Sequence, residues 1–99
     1  MKVSIPVAKG NETSKNGTMG ETMNRIITEQ NPEACYLFEE GGARTCLLVV
    51  NLKSESEIPK YAEPWFLAFD AKVEFHPAMI PADLKNAASD IAAVVAKYG

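Results

Sequence analysis

The amino-acid sequence predicts an α+β fold, with an antiparallel sheet built in the order strand, helix, strand, strand, helix, strand and one further helix at the end. Three observations carry that expectation. Ala34–Glu39 and Arg44–Leu52 are apolar runs flanking Gly41-Gly42, a pair that tolerates the positive φ angles of a two-residue hairpin turn. Ser54–His76 reads as one amphipathic helix running straight into a short strand. Its apolar residues Ile58, Tyr61, Ala62, Trp65, Phe66 and Phe69 fall on one helical face with Trp65 near the middle, so the core is expected to be densest there. The length, 99 residues, suits a single domain over 1–99 that buries roughly 65% of the surface its unfolded chain exposes.

Taken in order, Val3, Ile5 and Val7 alternate with polar residues and Pro6, a half-buried first strand. Gly10 to Gly17 is a polar run without apolar periodicity and reads as loop or a frayed first turn. Thr18 with Glu21 makes a capping box for a helix carrying Met19, Met23, Ile26 and Ile27, which Asn31-Pro32 stops. In the hairpin, a turn at Gly41-Gly42 sets Glu40 against Ala43, Phe38 against Thr45, Leu37 against Cys46 and Tyr36 against Leu47. Ser54 and Glu57 form a second capping box, and Pro64 is expected to kink the helix that follows. Val73 and Phe75 alternate in a last strand closed by Pro77. Pro81 then starts a final helix, with Leu84, Ala87, Ala88, Ile91, Val94, Val95 and Tyr98 as its expected buried face.

Composition narrows the function classes. The chain is 46% hydrophobic and 23% charged, with a net charge of −3. Ten scattered Lys and Arg make no basic patch, which argues against a nucleic-acid or anionic-membrane partner. The apolar run in the N-terminal segment MKVSIPVAKG is too short for a signal peptide and no run approaches the ~20 apolar residues of a membrane span, so the cytoplasm is the expected location. The two sequons at Asn11 and Asn16 are discarded on the same ground. Cys35 and Cys46 fall diagonal to one another across the hairpin, about 7–8 Å apart, and are expected as free thiols.

The element order is that of a ferredoxin-like split βαβ, with both helices on one side of the sheet. Yet the hairpin is apolar on both faces: Cys35, Leu37, Cys46, Leu48, Val50 and Leu52 share one, Tyr36, Phe38, Leu47 and Val49 the other. The second face therefore needs a cover, either the C-terminal helix, a partner subunit, or both. A homodimer is the expected assembly.

The segment Ala62-Glu63-Pro64-Trp65-Phe66-Leu67-Ala68-Phe69, with Ile58-Pro59 before it and Pro81-Ala82-Asp83-Leu84 after it, resembles a family of bacterial proteins of about this length without established activity. Gly17-Thr18, Pro32-Glu33-Ala34 and Arg44-Thr45 fit the same pattern. That family resembles the dimeric α+β-barrel class of ferredoxin-like domains. The resemblance implies two sheets packed face to face and brings no functional residues with it.

His76, the single histidine, stands two residues from Glu74 and so on the same strand face, an arrangement suited to acid–base work near neutral pH. A lone histidine before a proline is more often a surface or interface residue. Tyr36 is a candidate for lining the same space. Trp65 suits a pocket for a flat ligand, although an indole at the centre of an apolar stripe is more often core. The cysteines read as small hydrophobic residues rather than nucleophiles. One histidine and two cysteines on separate strands fall short of a zinc ligand set, and no cofactor is expected.

Three functions remain open: a small-molecule-binding domain for an apolar or aromatic ligand, with an apolar cavity beside the sheet of a homodimer; an enzyme like the cofactor-independent monooxygenases and small isomerases of the barrel class, by resemblance; and an assembly protein without a ligand. His76, Glu74, Tyr36 and Trp65 are the expected ligand-binding residues for the first.

Overall fold

The computed structural model describes residues 1–99 and is an α+β protein with a four-stranded antiparallel sheet in the order β2-β3-β1-β4. Its strands are β1 (Lys2–Ile5), β2 (Ala34–Glu40), β3 (Ala43–Val49) and β4 (Lys72–Glu74). Its helices are α1 (Val7–Lys15), α2 (Met19–Gln30), α3 (Ile58–Phe69), α4 (Pro81–Asn86) and α5 (Ala88–Tyr98), with a 3-10 turn at Glu55–Glu57. The sheet is open and does not close into a barrel within one chain.

The hairpin follows the expected register, with Phe38 against Thr45, Leu37 against Cys46 and Tyr36 against Leu47. Gly41 and Gly42 both take positive φ, 62° and 79°, the pair of values a tight hairpin of this hand requires. The Glu39 carboxylate accepts the Gly42 N–H at 2.6 Å and closes the turn. Strand β3 ends at Val49 rather than Leu52. Cys35 stands opposite Leu48 and Cys46 opposite Leu37, so the two thiols are diagonal and free.

The start of the chain departs from expectation. Strand β1 stops at Ile5, and Val7 opens helix α1, which runs through the polar stretch expected as loop. This helix buries only Gly10 and Thr13, both small, so it lacks the apolar stripe by which helices are read from sequence. Gly10 leaves room there for the Arg44 side chain, which crosses the helix to reach Asn11 Oδ1 at 3.2 Å: a Cβ would lie 2.5 Å from its Nη1 and displace it. The Thr18 capping box does not form. Its hydroxyl and N–H both turn to Asn16 Oδ1, at 2.6 and 3.0 Å, across the turn that joins α1 to α2. Asn31 does end α2, in the left-handed region at φ 45°.

Helix α3 begins later than expected. Ser54 caps the 3-10 turn through the Ser56 N–H, while Glu57 reaches back to the Lys53 N–H at 2.7 Å. Of the expected stripe, Ala62, Trp65 and Phe69 are buried, whereas Ile58 and Phe66 sit at the margin, more than a third exposed. Trp65 and Phe69 stack at 6.0 Å between ring centroids over Val3, Ile5, Cys46 and Leu48, with Ile26 of α2 beside them. The indole Nε1 donates to Gln30 Oε1 at 3.1 Å, and Gln30 Nε2 donates to the Tyr61 carbonyl at 2.9 Å. One polar side chain thus ties α2 to α3 and satisfies the buried indole.

The largest correction concerns the C-terminus. The expected single helix breaks at Ala87 into α4 and α5, and its apolar face is not buried. Leu84, Ile91, Val94, Val95 and Tyr98 are 47–75% exposed. The Asp83 carboxylate accepts the Ile80 N–H at 3.0 Å and starts α4, but the arm then runs away from the sheet. The molecule measures 59 × 27 × 20 Å, with a radius of gyration of 17.6 Å, where a compact chain of this length has about 13 Å. Pro77 and Pro81 bracket an extended segment, and helices α1 to α3 already occupy one face of the sheet. The C-terminal helix leaves the other face uncovered, where Tyr36, Phe38, Leu47 and Val49 remain 39–63% exposed.

Candidate functional site

Alternation along the strands divides the side chains between two sheet faces. Val3, Ile5, Cys46, Leu48 and Val73 point to the helices, while the opposite face is open. Register lines up a transverse row on the open face, Tyr36–Leu47–Lys2–Glu74, one residue from each strand. Beside it runs a second row, Phe38–Thr45–Ser4–Lys72. The open face is thus apolar over β2 and β3, where Tyr36, Phe38, Leu47 and Val49 are 39–63% exposed, and charged over β1 and β4.

The charged half is a connected set. Lys2 Nζ lies 3.2 Å from Glu40 and 3.5 Å from Glu74, reaching diagonally across the sheet. Glu74 also takes Lys72 at 3.4 Å and His76 Nε2 at 3.5 Å. The Lys72 ammonium, then His76 and Lys2, hold the Glu74 carboxyl below its ordinary range. The Glu40 and Glu74 carboxylates raise the Lys2 pKa. Lys2, Ser4, Glu40, Thr45, Lys72 and Glu74 line a shallow hollow of about 150 Å³.

Of the residues expected at the site, Glu74 and His76 are brought together, with the imidazole largely in solvent. Tyr36 is on the same face, at the far end of Glu74's row, three strand spacings or about 14 Å away. Trp65 is fully buried on the other side of the sheet, within the core. Lys2, Lys72 and Glu40 were not singled out from the sequence. Alternation marks Lys2 and Lys72 as outward-facing, but only the strand order sets them around Glu74.

A second concavity lies on the helix side, where α1 and α2 stop short of edge strand β2. It is an apolar groove of about 650 Å³ between Val7, Met19 and Met23 on one wall and Leu37 and Cys46 on the other, with Arg44 and Asn11 at its rim. Burial pushes the Cys46 thiol up to about 11, with Cys35 adding to the effect, and it also raises Cys35; neither is an activated nucleophile. No group of three or more His, Cys, Asp or Glu is placed to hold a metal ion. No helix is long and apolar enough to cross a membrane. No family model, curated protein or solved structure matches the chain.

Proposed function

We propose that the chain is a ferredoxin-like, homodimeric small-molecule-binding domain of the cytoplasm, in which two open sheet faces stack and enclose the ligand, as in dimeric α+β barrels. The observation that carries this reading is the division of the open face into an apolar half and a charged half. It suits a ligand with an aromatic or aliphatic body against Tyr36, Phe38 and Leu47 and a polar end toward Lys2, Lys72, Glu74 and His76. Tyr36, Phe38, Leu47 and Val49 form a contiguous exposed apolar patch, of the kind that marks an interaction site. Covering about 600 Å² of apolar surface, summed over the two copies, contributes on the order of 15 kcal/mol before the costs of association. Two free thiols accord with a reducing compartment.

Native mass spectrometry of protein purified without added ligand tests the reading. The expected species has twice the 10.8 kDa chain mass and carries a small adduct, which His76→Ala removes while the dimer persists. Leu47→Glu is expected to give monomers without adduct. A dimer free of adduct in every preparation overturns the binding reading in favour of an assembly protein. The His76–Glu74 pair favours a second reading, an enzyme using that pair for proton transfer. Turnover of an electron-rich aromatic or a lactone that is lost in His76→Ala separates it from a binder.

A further inference from the structure

Two surfaces of this chain are apolar and exposed, and they lie too far apart to meet within one molecule. One is the C-terminal arm, where Leu84, Ile91, Val94, Val95 and Tyr98 recur at helical spacing and none is buried. The other is the groove between α1, α2 and the hairpin, where Leu37 is 64% and Val7 49% exposed. The arm leaves from β4, at one edge of the sheet, and the groove lies over β2 at the other. Helices α3 and α2 stand between them. A path up over two helices about 10 Å thick and down across the sheet is on the order of 35 Å. Residues 77–87, partly helical, span only about 25 Å.

We propose that the arm of one copy docks in the groove of a second copy, and reciprocally. The proposal takes from the reading above that the partner is another copy of this chain, and its argument from reach also uses that reading's stacked sheets. Stacking the open faces about a two-fold axis along the strands sets the β4 edge of one copy over the β2 edge of the other. The arm then departs about 10 Å above the partner's β2 edge and has to wrap around that edge to reach the groove, a path within the span of residues 77–87. Charge agrees with this pairing. Arg44, at the groove rim, has no carboxylate in ion-pair range and donates only to Asn11. Asp90, next to Ile91 on the arm, has no cation. The groove wall carries Met19 and Met23, flexible side chains that adapt to a helix laid against them. A helical stripe of five apolar residues, exchanged twice, brings the buried area toward the ~800 Å² per partner of a stable interface.

Sedimentation equilibrium on the full chain tests the exchange with two variants: an arm variant, Ile91→Lys with Val95→Lys, and a groove variant, Leu37→Lys. All three positions are exposed within one chain, so circular dichroism should show both variants folded. Each variant alone is expected to raise the dimer dissociation constant at least about tenfold, because both reciprocal contacts are lost. An equimolar mixture restores one arm–groove contact and should associate at least about tenfold more tightly than either variant alone. The proposal is overturned if either variant dimerises as the wild type does, or if the mixture is no tighter than its components. Leu47→Glu separates the two ideas. If it alone yields monomers while the arm and groove variants stay dimeric, stacked sheets survive and arm exchange falls. Should Leu47→Glu remain dimeric while the arm and groove variants dissociate and their mixture recovers, arm exchange stands and sheet stacking falls.

Discussion

Replacing Trp65 with alanine probes the joint on which the helix layer depends. The indole is fully buried, stacks on Phe69 at 6.0 Å and donates to Gln30 at 3.1 Å, which in turn holds Tyr61 of the same helix. Truncating a buried tryptophan costs about 3–5 kcal/mol in lost contacts and cavity. The orphaned Gln30 carbonyl adds to that cost. A domain of this size holds roughly 5–15 kcal/mol in all, so Trp65→Ala removes a large part of it. With a urea slope of about 1–3 kcal/mol per M, the midpoint should fall by about 1–5 M. Trp65 is the only tryptophan, so unfolding has to be followed by circular dichroism rather than by its fluorescence. A midpoint within about 0.3 M of wild type would refute the reasoning and return the indole to the list of ligand-facing groups.

Other consequences follow from the same geometry. Gln30→Ala should cost about 1–3 kcal/mol in the same urea assay, since it strips partners from both the indole N–H and the Tyr61 carbonyl; no change would show that water replaces it. Cys35, half-buried, should be alkylated well before Cys46 at pH 8, and both should react in denaturant without prior reduction. The folded Cys46 thiol titrates near 11 against an ordinary 9, so its contribution to stability is complete below pH 9 and is lost as pH rises through 11. Cys46→Val should remove that part of the alkaline decline in melting temperature. Glu74 behaves in the opposite sense. Its lowered pKa stabilises the fold above the ordinary 4.5, and the gain is lost as pH falls below that value, so Glu74→Gln should flatten part of the acid limb of a melting-temperature profile.

Much of this protein is legible in its sequence because local chemistry dictates it. The two glycines of the hairpin turn admit positive φ, and with the turn placed, the period of two sets every cross-strand pair, including the separation of Cys35 from Cys46. Asn31 before Pro32 ends α2 for equally local reasons, and Trp65, Ala62 and Phe69 share a helical face whatever they pack against. Glu74 and His76 do meet, at 3.5 Å, although the strand expected to carry both ends at Glu74 and His76 lies just beyond it. Tertiary structure decided what depends on a neighbour. Helix α1 has no apolar stripe, and its Gly10 allows the close approach of Arg44, a contact that exists only once β3 is in place. Lys2, Lys72 and Glu40 converge on the open face because β1 inserts between β3 and β4, an order that alternation along a single strand does not contain. The C-terminal stripe shows the same limit most plainly: periodicity says which residues of a helix will be buried together, and only the space around the helix decides whether its own chain, or another, buries them.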